Sequence, residues 1–150
     1  MKKIKDFNIR TDLSYATEEG FWLSTNGDTA RIGMNPLVQE TTGAFVAIRI
    51  ENTGTSFSKG ESFGSIEAEK HVGPLKAPLS GKIIAINDKV LENPRLINTD
   101  PYGKGWLIEI KLSNINEVEG LLSGDEKVTT WFESEIARYE QKGWLAERVN

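Results

Sequence analysis

The chain has no cysteine. No disulfide can staple it, no thiolate can serve as its nucleophile, and no cysteine-based metal site can form. It has a single histidine, His71, which excludes a site built on several imidazoles. No stretch approaches the ~20 apolar residues that span a bilayer, so no membrane insertion is expected. The opening run Met1-Lys2-Lys3-Ile4-Lys5-Asp6-Phe7 has a basic head but no apolar stretch behind it, unlike a secretory signal, and a cytoplasmic protein is expected. Positive charge is also short. Eighteen Lys and Arg against 22 Asp and Glu leave a net −4, the wrong sign for a phosphate-binding surface, so no nucleic-acid partner is expected. The P-loop and G-x-G-x-x-G strings are missing. Without a self-sufficient catalytic constellation the chain is expected to be no enzyme. Either it binds something, or its chemistry sits on an attached group.

What is present is a β-rich pattern. Phe21-Trp22-Leu23 and Ala30-Arg31-Ile32 flank Asn26-Gly27-Asp28, a hairpin signal. Asn35 suits a helix N-cap, Pro36 a first helical position and Gly43 a C-terminal stop, which predicts one short helix. Phe45 to Ile50, Ser62 to Glu67, Lys82 to Ile86 and Trp106 to Leu112 read as strands, the last alternating Trp106, Ile108, Ile110 and Leu112. Pro74 and Pro78 keep Val72 to Pro78 extended. In Tyr102-Gly103-Lys104-Gly105 the glycines are expected to supply positive φ. Short strands at close spacing predict a mainly β barrel or sandwich. The period then changes. Ser113 is expected to cap a short helix over Ile115 to Leu122, and Val128, Phe132, Ile136 and Tyr139 recur at helical spacing. Thr130 and Glu133 fit a capping box, so a helix is predicted from about Val128 to Lys142, ending at Gly143. No low-complexity linker interrupts the chain, which predicts a single domain over 1–150, with a core of about 13–112 and a helical tail of about 113–150.

Between two strand-like segments stands Glu67-Ala68-Glu69-Lys70-His71. A lysine at a hairpin tip projects into solvent while the flanking strands fix its position, which suits a swinging arm. Lys76, the nearest rival, lies in a proline-flanked extended run. Around Lys70 the sequence resembles the H protein family of the glycine cleavage system. Phe63-Gly64-Ser65-Ile66-Glu67-Ala68-Glu69-Lys70 resembles that family's F-G-x-[IV]-E-[SA]-x-K. It is followed in register by Pro78-Leu79-Ser80-Gly81, Ile86-Asn87, Pro94-Arg95-Leu96-Ile97-Asn98 and Asp100-Pro101-Tyr102-Gly103-Lys104-Gly105-Trp106. The match runs without gaps from about Phe63 to Leu112, with weaker echoes at Leu13 and Tyr15.

The resemblance implies a hybrid barrel-sandwich fold, of the lipoyl and biotinyl hammerhead kind, with a short inserted helix and a C-terminal helical tail. It implies lipoate as covalent cofactor in amide linkage to Lys70, with Glu67, Glu69 and His71 flanking it as recognition residues. The implied partners are a lipoate-attaching enzyme, dihydrolipoamide dehydrogenase, and either glycine decarboxylase with aminomethyltransferase or a heterodisulfide-reductase-like complex. Biotinyl domains share the fold but carry methionines on both sides of the lysine, where this chain has Glu69 and His71.

The front half departs from the family pattern L-x-Y-T-x-x-H-E-W. In register stand Leu13-Ser14-Tyr15-Ala16-Thr17-Glu18-Glu19-Gly20-Phe21, so Glu19, Gly20 and Phe21 replace the histidine, glutamate and tryptophan. Val72 to Lys76 is also unlike the family. The altered face, taken to include Asn35 and Pro36, favours the H-like lipoate-binding branch of sulfur oxidation over glycine cleavage. An unmodified scaffold is the third alternative.

Overall fold

The computed structural model describes residues 1–145; residues 146–150 of the expected tail lie outside the described residues. The chain opens with a hairpin, β1 (Lys2–Ile4) and β2 (Phe7–Ile9), paired from Lys2↔Ile9 to Ile4↔Phe7. Alternation turns Ile4, Phe7 and Ile9 inward and Lys3 and Asn8 outward. Then come β3 (Ser14–Ala16), β4 (Phe21–Asn26) and β5 (Thr29–Met34). The expected turn joins β4 to β5, with Gly27 at a φ of 64°. That left-handed conformation is the reason a glycine stands there.

The expected helix forms as α1 (Gln39–Thr42), three residues later than its signals suggest. Asn35 Oδ1 accepts the Leu37 N–H at 2.9 Å, so the asparagine organises a turn that leads into the helix rather than capping it directly. Gly43 closes α1 at a φ of 76°. β6 (Phe45–Ile50), β7 (Ser56–Phe57), β8 (Ser62–Ala68), β9 (His71–Lys76), β10 (Gly81–Ile86) and β11 (Ile108–Leu112) complete the strands. Trp106 precedes β11 rather than belonging to it. It is half-buried, with the Arg31 guanidinium 4.4 Å above its ring.

Two sheets result. One is antiparallel in the order β3-β4-β5-β11-β10-β7, the other in the order β6-β8-β9. Their inner faces close on one core that includes Phe21, Ile32, Phe63, Leu75, Ile83 and Ile110. This is the mainly β architecture the strand pattern predicts, in the barrel-sandwich form the resemblance implies.

Two short helices, α2 (Asp88–Glu92) and α3 (Leu96–Thr99), cross between β10 and β11 where no helix is expected. A 3₁₀ turn over Ile115–Gly120 replaces the predicted short helix. Its N-cap is Asn114, whose Oδ1 accepts the Asn116 N–H at 3.2 Å, not Ser113. The last helix, α4 (Asp125–Gln141), starts one turn before the predicted position. Thr130 and Glu133 are therefore inside it and form no capping box, whereas Asp125 and Glu126 place negative charge at its positive end. Val128, Phe132 and Ile136 are buried as expected. They pack with Ile9, Tyr15, Trp22 and Leu37 into a second cluster outside the larger sheet. β4 is consequently covered on both faces, with Phe21 and Leu23 on one side and Trp22 on the other.

Candidate functional site

β8 and β9 pair from Ser62↔Lys76 to Ala68↔His71, leaving Glu69 and Lys70 as the two-residue tip. The tip does not hang free. The Lys70 N–H donates to Thr42 O at 2.9 Å and the Glu69 N–H to Ala44 O at 3.0 Å. In return Glu69 Oε1 accepts the Ala44 N–H at 2.7 Å. These bonds dock the turn on the junction between α1 and β6. A Cβ on Gly43 would come within 2.9 Å of Glu69 Oε1, so the close approach as well as the positive φ requires glycine there. The Lys70 side chain, by contrast, is exposed and makes no hydrogen bond or ion pair among the described residues. Backbone and amine are thus decoupled, one fixed and the other free to react.

The four residues picked out around the turn have different settings. Glu67 is exposed in a row with Ala47 and Val72, on the outer face of the smaller sheet. Glu69 is an anchor of the turn. His71 lies on the other side and lines a cleft of about 310 Å³ beside the tip. Thr42, whose carbonyl holds the Lys70 N–H, lines the same cleft, as do Glu18, Glu19, Gly20, Pro74 and Tyr139. The charged side chains of this lining are glutamates, with no lysine or arginine among them. Asn35 and Pro36, expected on this face, are buried instead and serve the turn before α1. Tyr139, which the helical period marked only as a packing residue, reaches the cleft.

The remaining motif residues turn out to be struts. Asn98 Oδ1 accepts the Phe45 N–H at 2.9 Å and its Nδ2 donates to Gly43 O at 3.3 Å, bracing the junction that holds the lysine tip. Asn87 Nδ2 donates to Lys104 O and Trp106 O, both at 2.7 Å, while its Oδ1 caps α2. Ser80 donates through its N–H and hydroxyl to Glu117 at 2.7 and 2.9 Å. Gly103 and Gly105 do not take positive φ. They are glycine because a Cβ on Gly105 would strike Leu96 O and one on Gly103 would sit 2.5 Å from Asp100 Oδ2.

The Tyr15 hydroxyl donates to Arg10 O at 2.8 Å and lies 2.7 Å from the Tyr102 hydroxyl. Burial pushes both phenols above their ordinary range, so they stay neutral cross-links. The G-x-S-x-G of hydrolases, counted as absent from the sequence, is in fact spelled by Gly60-Glu61-Ser62-Phe63-Gly64. Ser62 nevertheless opens a strand, its hydroxyl donates to Gly64 O at 2.8 Å, and His71 lies at the opposite end of the β8–β9 pair. No nucleophile elbow exists there.

A lysine fixed by its backbone and free at its amine, on a barrel-sandwich with no catalytic constellation among the described residues, fits a carrier protein. The comparisons with known proteins give the kind. The model of the glycine cleavage H-protein family matches residues 13–134. The glycine cleavage system H protein of Carboxydothermus hydrogenoformans is 40% identical over 118 residues, which cover 79% of this chain and 90% of that one. The mitochondrial glycine cleavage system H protein 2 of Arabidopsis thaliana is 34% identical over 131 residues, 87% of this chain and 83% of its own. Among solved structures, a glycine cleavage system H protein from Mycobacterium marinum gives a TM-score of 0.70 at 33% identity, covering 81% of this chain and 98% of that one.

This chain belongs to the glycine cleavage H-protein family, whose members are carriers with lipoate covalently held on a lysine. The relatives named above are glycine-cleavage proteins. The sulfur-oxidation lean drawn from Glu19, Gly20 and Phe21 finds no support among them, and the glycine-cleavage alternative fits better.

Proposed function

We propose that this chain is the lipoyl carrier of a glycine cleavage system, with lipoate in amide linkage to Lys70. The observation that carries the reading is the decoupling at the β8–β9 tip. Thr42 and Ala44 hold the backbone of the turn, and the Lys70 amine is left without a partner among the described residues. An attaching enzyme can reach that amine without unfolding anything. Lys76 is exposed too, but it is the last residue of β9, paired opposite Ser62 at the far end of the hairpin from the tip.

Lipoate, when bound, supplies a cyclic disulfide for thiol–disulfide exchange. The chain's own residues position and shelter it. Glu69 holds the turn in place, and Glu67, beside Val72, offers a charge to the attaching enzyme on the outer face. His71 and Thr42 bring the cleft to within a residue of Lys70. Glu18 and Glu19 give that cleft a negative lining suited to an amine, which supports glycine cleavage over a sulfur-oxidising role. The partners of this reading are the attaching enzyme, glycine decarboxylase, aminomethyltransferase and dihydrolipoamide dehydrogenase.

The test is glycine–bicarbonate exchange with the lipoylated protein and a standard set of glycine-cleavage enzymes. Exchange comparable to an authentic H protein supports the reading. Absent exchange from a protein whose lipoylation has been verified by mass overturns the glycine pathway and returns the heterodisulfide-reductase-like partner.

A further inference from the structure

Both ends of the chain extend past the family match, which covers residues 13–134. Outside it lie the hairpin β1–β2 and the last turns of α4. These two pieces pack on each other. Ile4, Phe7 and Ile9 share a cluster with Ile136, and with Val128 and Phe132 from the matched part of the helix, and Lys5 Nζ lies 3.4 Å from Glu140 Oε1. The inward register Val128, Phe132, Ile136 continues to Tyr139, three residues on and on the same side of the helix. There the half-buried ring packs against the edge of the cluster and also becomes part of the lining of the cleft beside Lys70.

Tyr139 is braced from behind. The Trp144 ring meets it edge-on at 5.2 Å, and the Trp144 N–H donates to Tyr139 O at 3.0 Å. The Arg138 guanidinium lies 5.2 Å from the Tyr139 ring and 5.3 Å from that of Trp144. Glu135 holds that guanidinium through hydrogen bonds of 3.0 and 2.7 Å. Burial raises the Tyr139 phenol above its ordinary range, so the wall it forms is uncharged. The cleft it closes begins at the attachment turn. His71 follows Lys70 in the chain, and Thr42 takes its N–H.

We propose that Tyr139 is a specificity-determining residue of this cleft: a wall, added by the extended α4, that retains the end of the arm borne on Lys70. The proposal rests on the carrier reading above. The occupant is the chain's own arm with a cationic end, because the cleft starts one residue from the attachment point and its charged lining is Glu18 and Glu19. A carrier so built keeps a loaded amine out of water between partners. Without the ring, the same cleft lies open on the α4 side.

The experiment uses the full-length lipoylated protein, with the adduct on Lys70 first verified by peptide mass. After reduction, the arm thiols are capped with bromoethylamine, which leaves a cationic end, or with iodoacetate, which leaves an anionic one. Amide proton–nitrogen NMR spectra then report where the arm sits. The cationic arm is expected to shift the resonances of Glu18, Glu19, Gly20 and His71, and the anionic arm to leave them in place. Tyr139→Phe is expected to keep the shifts and Tyr139→Ala to lose them. Spectra of unlipoylated Tyr139→Ala that match the native β8–β9 resonances verify that its fold is intact. With the adduct on Lys70 in place, equal shifts in native protein and Tyr139→Ala overturn the role of Tyr139 alone. Loss in Tyr139→Phe as well as in Tyr139→Ala overturns the wall as described. Absence of any adduct on Lys70 overturns the carrier reading and this proposal with it.

Discussion

Glu69 separates two roles that a carboxylate beside a modified lysine can play. It can be a charge that the attaching enzyme reads, or a fastener that holds the turn. The geometry favours the fastener, since Oε1 accepts the Ala44 N–H at 2.7 Å. Glu69→Ala removes that acceptor and leaves one backbone donor to water. A hydrogen bond to a charged group contributes roughly 1.5–3 kcal/mol, but this one is exposed and water competes for both partners, so about 1 kcal/mol is expected. For a chain of this size that is a fall of about 3 °C in Tm. Glu69→Gln keeps an amide oxygen at the same reach and should restore most of the stability. The informative assay is lipoyl ligation in vitro, with kcat/KM measured for the native protein and both variants. If Glu69 acts by pinning the turn, ligation follows stability: impaired in Glu69→Ala and largely recovered in Glu69→Gln. A Glu69→Gln protein as stable as native but as poorly ligated as Glu69→Ala would refute the fastener argument and make the charge itself the signal.

Lys70→Arg keeps the charge but removes the primary amine, so peptide mass spectrometry should find no lipoyl adduct, and one appearing on Lys76 would sink the assignment. Lys70→Ala should change the folding free energy by less than ~0.5 kcal/mol in a denaturant melt, as exposed side chains do. Trp22→Ala should cost ~3 kcal/mol or more because Trp22 is fully buried, while the half-buried Trp106 should cost clearly less; a reversal would contradict the placement of the two clusters. Glu135 is held below the usual carboxylate range, first by its hydrogen bond from Arg138. Its folded pKa therefore lies below the unfolded one. The stability it adds is present above the unfolded value, ~4.3, and is lost as pH falls through the folded value. Arg138→Ala should accordingly flatten the acid side of a Tm-against-pH curve below about pH 5.

The sequence exposes elements whose signals are local. Gly27 announced its hairpin, and Gly43 the end of α1, because each sits where a positive φ is required. What stayed hidden depended on partners far along the chain. Glu69 reads as a recognition residue beside the lysine until Ala44, twenty-five residues earlier, is seen to donate to it. Trp106 continues an alternating pattern, yet the strand begins at Ile108, and the ring packs against the second cluster under the Arg31 guanidinium rather than inside the barrel. The start of α4 is missed because its first turn, Asp125-Glu126-Lys127, is polar and carries no periodic signal, while Thr130 and Glu133 imitate a cap. Asn87 and Asn98 look like motif letters, and only the folded chain shows them bracing α2 and the α1–β6 junction. The hairpin β1–β2 is too short for any period to mark it.

A pivot clamped through its own peptide bonds has a kinetic consequence. Because Thr42 and Ala44 immobilise the turn, the only slack in a tether on Lys70 is the side chain and what it bears. On the carrier reading proposed above, a tethered reagent samples a volume about one fixed point that ends at the arm's full length. Its effective concentration is high inside that volume and close to zero outside it. Each partner enzyme would then have to bring its own reaction centre within that reach, so docking geometry would bear on which enzyme is served next.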